Sequence, residues 1–247
     1  MEAAEKAVAL RAFGRREDLD LDFASADRPA LVTALLAQCT GLGAAHWWSR
    51  PVGQRTAALA ELMRQREGVA EIEISAGCAN RECGETFGFD LLLTELVALA
   101  PSAEAWALDL PEGRQLSLRP PTGSDLHRWC QAQPASREQA LALMVEDLAP
   151  GQVFETQDEP FLSVALAERD PLVALRALAR CPACGHEQEV EVDLEGLLLS
   201  RWAAKRQSLI TEVHQLAHHY GWTEAEVLAL PPTRRAEYRA LIESSTR

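Results

Sequence analysis

The sequence has no apolar run long enough to span a bilayer, and its first residues, Met1-Glu-Ala-Ala-Glu-Lys6, lack the basic and apolar stretches of a secretion signal. A soluble, cytosolic protein is therefore expected, with no membrane partner. Basic charge is also short: 24 Lys and Arg stand against 37 Asp and Glu, a formal net charge of −13, and the lysines are Lys6 and Lys205 alone. Binding to a phosphate backbone draws much of its affinity from Lys and Arg, so this balance speaks against nucleic acid as a partner. The one basic cluster, Arg234, Arg235 and Arg239, is short and interleaved with Glu237.

The motifs of familiar chemistries are missing as well. There is no P-loop, no Gly-x-Gly-x-x-Gly after a strand, no Gly-x-Ser-x-Gly and no His-Glu-x-x-His. His214 and His218 stand four apart on a helical pattern, but no carboxylate or third ligand lies at matching spacing. They read as solvated or helix-end histidines, whose positive charge suits a C-terminal dipole. No enzyme is expected.

Cysteine is scarce, yet four of the six fall into two pairs, Cys78-Ala-Asn-Arg-Glu-Cys83-Gly and Cys181-Pro-Ala-Cys184-Gly. A strand-like run enters each pair (71–75 and 175–180) and an alternating run leaves it (86–90 and 187–193). A redox Cys-x-x-Cys normally opens a helix, so flanking strands favour metal over redox chemistry. Two turns from distant parts of one chain then supply four thiolates, enough to close a tetrahedral shell around one structural Zn²⁺ on Cys78, Cys83, Cys181 and Cys184. His186 is a possible substitute, more simply read as a hairpin side chain. Cys39 and Cys130 show no spacing pattern and are expected as buried apolar fillers.

The expected fold class is α+β: a zinc-stapled core of two β-hairpins, zinc-ribbon-like, flanked by helices and followed by a helical tail. Residues 1–70 read as mostly helical, 71–200 as the zinc-binding core and 201–247 as the tail. Helices are expected over 3–13, over 29–38 with Asp27 as N-cap, and over 55–66. The alternation at 18–23 predicts a short edge strand. His46-Trp47-Trp48 is expected in a loop, with its tryptophans either contacting a partner or wedged into a domain junction. Further on, the patterns predict a helix at 91–99 and a hairpin of 104–110 with 114–118. Ser124 and Ser136 are expected to cap the next two helices, and 161–168 to be a third. A long amphipathic helix spans Leu194–Tyr220, ended by Gly221. Thr223-Glu-Ala-Glu226 caps a short helix, and 234–243 forms the last. The two cysteine halves also look like an internal repeat, each with Cys-Gly, an exit strand and a Leu-rich helix.

Several of these stretches carry a family resemblance. They are Asp170-Pro-Leu, Cys181-Pro-Ala-Cys184-Gly-His, the exit strand Glu-Val-Glu-Val-Asp193-Leu, and the tail Glu212-Val-His-Gln-Leu-Ala-His-His-Tyr220-Gly-Trp222 through Leu230-Pro to Arg234-Arg235 and Tyr238. Together they resemble the T4-type phage baseplate protein family, found with contractile phage tails and the bacterial contractile injection systems derived from them. The resemblance covers about residues 105–247, including Leu116-Ser-Leu-Arg119-Pro-Pro-Thr-Gly123, which is similar to the family's central hairpin and loop. It implies a non-enzymatic structural or assembly component of a contractile tail baseplate. Such a component works in multiple copies against other baseplate or tail proteins, within the bacterial host's cytoplasm as part of an assembled particle. A transient assembly chaperone and a zinc-ribbon nucleic-acid or transcription accessory protein remain the alternatives. Candidate partner contacts are Trp47, Trp48, Trp222 and Tyr238. The tail's Trp222, Leu228, Leu230, Tyr238 and Leu241 exceed what three short helices are expected to bury among themselves, so docking is expected on the protein's own core or on a neighbour.

Overall fold

The computed structural model describes residues 10–245. A one-turn helix α1 (Arg16–Leu19) leads to α2 (Arg28–Thr40), α3 (Ala44–Trp48) and α4 (Val52–Glu67). Asp27 caps α2 by accepting the Ala30 amide at 3.0 Å, and Pro29 lies in the first turn, where a missing N–H costs nothing. The chain then forms a hairpin of β1 (Glu71–Gly77) and β2 (Thr86–Leu92), followed by α5 (Leu93–Ala98). A second hairpin pairs β3 (Trp106–Asp109) with β4 (Gln115–Leu118). Three helices follow: α6 (Gly123–Ala132), α7 (Arg137–Leu148) and α8 (Glu159–Arg169). The third hairpin, β5 (Arg176–Arg180) and β6 (Glu187–Glu191), runs into the long α9 (Leu194–Tyr220). Two short helices, α10 (Glu224–Ala229) and α11 (Pro232–Ser245), complete a mixed α+β fold whose three sheets are separate antiparallel pairs.

The main core draws on distant parts of the chain. Val32, Leu35 and Leu36 of α2, Leu59 and Leu62 of α4, Ile72 of β1, Leu93 of α5, and Leu198 and Trp202 of α9 are all essentially inaccessible. Full burial of such a side chain contributes roughly 1.5–3 kcal/mol relative to exposure, and with Ala177 of β5 in the same cluster this contact set anchors both cysteine-bearing hairpins to the helices. A second cluster packs Leu116 and Leu118 of β4 against Leu148 of α7 and Leu162 of α8.

Several expectations are corrected. The alternation at 18–23 does not make a strand: α1 and a turn occupy it, because the buried Asp18 carboxylate accepts the Gly14 and Arg15 amides at 2.8 Å each and two bonds from Arg11. Alternating acids imitated period two while one of them was bound by the backbone. His46, Trp47 and Trp48 lie on α3 and not in a loop. Thr122 paired with Asp125 caps α6 in place of Ser124, whose hydroxyl donates instead to the Trp48 carbonyl at 3.1 Å. Cys130 is exposed, whereas Cys39 is buried as expected. Of the helix expected over 3–13, residues 3–9 lie outside the described residues, and 10–13 are not helical.

Candidate metal centre

Each cysteine pair sits in the turn of a hairpin. β1 and β2 end on the pair Gly77 and Thr86, β5 and β6 on Arg180 and Glu187, so residues 78–85 and 181–186 form the two knuckles. The turns are closed by similar bonds: the Cys78 amide donates to the Glu85 carbonyl at 2.8 Å and the Cys181 amide to the His186 carbonyl at 2.9 Å. Gly84 and Gly185, each just after the second cysteine, take φ of +61° and +74°. That left-handed conformation is cheap for glycine and turns the following amide back on the sulfur. The Glu85 amide thus donates to Cys83 and the His186 amide to Cys184, while Asn80 does the same for Cys78.

These knuckles bring all four sulfurs together. Every Sγ lies within 4.8 Å of the others, with Cys78 to Cys184 at 3.6 Å and Cys83 to Cys181 at 3.9 Å. A disulfide needs about 2 Å between sulfurs, and all four are free thiols. A tetrahedral ion with metal–sulfur bonds of about 2.3 Å would hold its sulfurs about 3.8 Å apart, so the arrangement fits such an ion with little adjustment. Cys181 is buried, Cys78 and Cys83 half-buried and Cys184 exposed, and Phe87 and Ala179 close the floor.

Electrostatics point the same way. Desolvation, with the neighbouring sulfurs, pushes Cys78 up to about 12, whereas the His186 amide draws Cys184 down to about 7. Four thiolates at this separation repel one another, and a divalent cation with peptide amides is what neutralises them together.

A side chain that spacing alone did not single out ties the two halves. Gln188 on β6 accepts the Ala79 amide and donates to the Gly77 carbonyl, at 2.7 and 2.8 Å. Its place in an alternating polar strand gives no sequence signal. His186 stays outside the group of ligand atoms and contributes its amide.

The candidate contact residues fall in two places. Trp47 is only 5% exposed, with its indole N–H on Thr40 Oγ1 at 3.0 Å, which leaves it no face for a partner. Trp48 is half-buried where α3 meets α6, its ring 5.0 Å from His127 and 5.6 Å from the Arg55 guanidinium. In the tail, Trp222 stacks on Tyr220 at 4.6 Å and meets Tyr238 edge-on at 5.0 Å. Val213, Leu216 and Val227 form the buried centre of this cluster. The tail therefore folds its aromatic residues on itself more fully than expected, leaving Leu241 exposed at 58%. His214 and His218 stack 6.0 Å apart, and no third His, Cys, Asp or Glu ligand atom joins them among the described residues.

Among the described residues no helix is long and apolar enough to cross a membrane. Compared with known proteins, the chain matches no family model, no curated protein and no solved structure.

Proposed function

We propose that the protein is a structural or assembly component of a contractile tail baseplate, of a phage or a phage-derived injection system. In this reading it acts by protein–protein contact and uses one Zn²⁺ to fix two zinc-ribbon-like hairpins. The observation that carries its structural half is the four-sulfur cluster. Four cysteine ligands fill a tetrahedral zinc shell and leave no position for water or substrate, which suits a staple and not a catalyst. Four soft thiolates suit zinc or iron, and zinc is chosen here for its structural role in closed four-cysteine shells. The baseplate half rests on the tail and second-knuckle residues that resemble that family, from Asp170 to Tyr238.

Nucleic acid fits poorly. The net charge is −13, and arginines such as Arg11, Arg114 and Arg119 are engaged by acids of the same chain. Purified contractile particles from a host carrying this gene test the assignment by quantitative mass spectrometry. Stoichiometric presence supports a retained component. Absence from the particle, with transient capture on tail intermediates, assigns an assembly chaperone instead.

A further inference from the structure

The four sulfurs differ in their access to solvent. Cys181 is 1% exposed and Cys78 and Cys83 are half-buried, whereas Cys184 alone of the four is exposed. Its Sγ lies 3.6 Å from that of Cys78, which belongs to the other knuckle and stands 106 residues away in sequence. A disulfide bond is about 2 Å long, so the remaining gap is within reach of a change of rotamer at the exposed Cys184.

The two turns are also held opposite each other by groups that carry no ligand atom. Gln188 bonds the Ala79 amide and the Gly77 carbonyl, Phe87 of β2 packs with Ala179 of β5, and Ile72, Ile74 and Ala177 reach into the main core. Cys184 and Cys78 therefore stay neighbours while their ligation changes. Oxidation of cysteine follows thiolate character and exposure, and metal ligation keeps a thiol in the thiolate form.

We propose that Cys184 is a modification site for hydroperoxides, and that Cys78 captures the oxidised sulfur, so that a disulfide between the knuckles takes over from the metal. The Cys184 thiolate attacks hydrogen peroxide, the O–O bond breaks, hydroxide leaves, and the sulfur becomes a sulfenic acid, oxidised by two electrons. The Cys78 thiolate then attacks that sulfur; an S–S bond forms, the S–O bond breaks, and a second hydroxide leaves. Two protons convert the hydroxides to water. Zn²⁺, left with Cys83 and Cys181, departs without change of oxidation state. The new bond closes a loop of 106 residues, a length at which a cross-link restricts the unfolded chain strongly. This deepens the structural-zinc reading and rests on it. A tail component made in a reducing cytoplasm and released with its particle would pass between the compartments that favour each staple.

The test uses the full chain with Cys130→Ser, which removes the other exposed thiol and touches no ligand. Zinc-loaded protein is treated with limiting hydrogen peroxide, with and without dimedone, which traps sulfenic acid. Released zinc is read with a chromophoric chelator and the modified cysteines by non-reducing peptide mapping. With dimedone, the first adduct is expected on Cys184. Without it, the chain is expected to lose its zinc and two hydrogens in mass, to give a peptide linked through Cys78 and Cys184, and to keep its helical circular-dichroism signal. Dithiothreitol with added zinc should reverse all of this. A first adduct on any other cysteine, a disulfide closed within one knuckle, loss of the helical signal on oxidation, or zinc retained at peroxide levels that oxidise free cysteine would each overturn the proposal. Failure of the zinc reading shows before peroxide is added, as a folded chain without metal, and overturns both; failure of this inference alone shows afterwards, on a chain that holds zinc.

Discussion

Gln188 and Ala79, 109 residues apart in sequence, are joined by a 2.7 Å bond from the Ala79 amide to the Gln188 side-chain carbonyl. With the companion bond from Gln188 to the Gly77 carbonyl at 2.8 Å, one side chain fastens the second hairpin to the entrance of the first knuckle. Groups that orient ligands in this way commonly tune metal affinity about 10- to 100-fold. Gln188→Ala should therefore lower zinc affinity about tenfold in a chelator competition while the helical circular-dichroism signal is kept. An unchanged affinity would show that the knuckles hold their relative position without the clasp.

Asp18 makes the acid side of the stability profile testable. Burial by itself would raise its pKa, but the Arg11 guanidinium and the Gly14 and Arg15 amides outweigh that and hold it below the usual carboxylate value. A depressed folded-state pKa means its stabilisation is complete above the unfolded value of about 3.9 and is lost as pH falls through the folded one. Asp18→Asn should cost about 3 kcal/mol near pH 7, as expected for breaking a buried pair. The gap from the natural protein should shrink below about pH 4 in denaturant titrations. A gap of constant size across that range would contradict the ionic account.

The tail should be separable from the metal. Trp222 packs between Tyr220 and Tyr238, so Trp222→Ala removes the contact that joins the start of α10 to α11. A half-buried aromatic of this kind should cost about 2 kcal/mol, below the 3–5 typical of a fully buried one. Hydrogen exchange is expected to speed up across residues 224–245, with zinc content unchanged. Loss of zinc together with the tail would mean the two form one cooperative unit.

Much of this architecture was legible in local pattern, and the failures share a cause. The span of α9, Leu194–Tyr220, is legible because apolar residues recur at helical spacing and Gly221 provides a left-handed stop, and the structure agrees residue for residue. The knuckles were legible because Cys-Gly between strands is specific to a few chemistries. Asp18, Thr122 and Gln188 were not, because their roles depend on which amide lies within reach after folding.

Metal analysis of the purified chain tests the central claim most directly. The account predicts one equivalent of zinc per chain, bound by four sulfurs in the X-ray absorption spectrum. Cys181→Ser should lose the metal together with a large part of the stability, since forming such a site is coupled to folding. A folded preparation without zinc, or a Cys181→Ser variant that keeps both metal and stability, would contradict it.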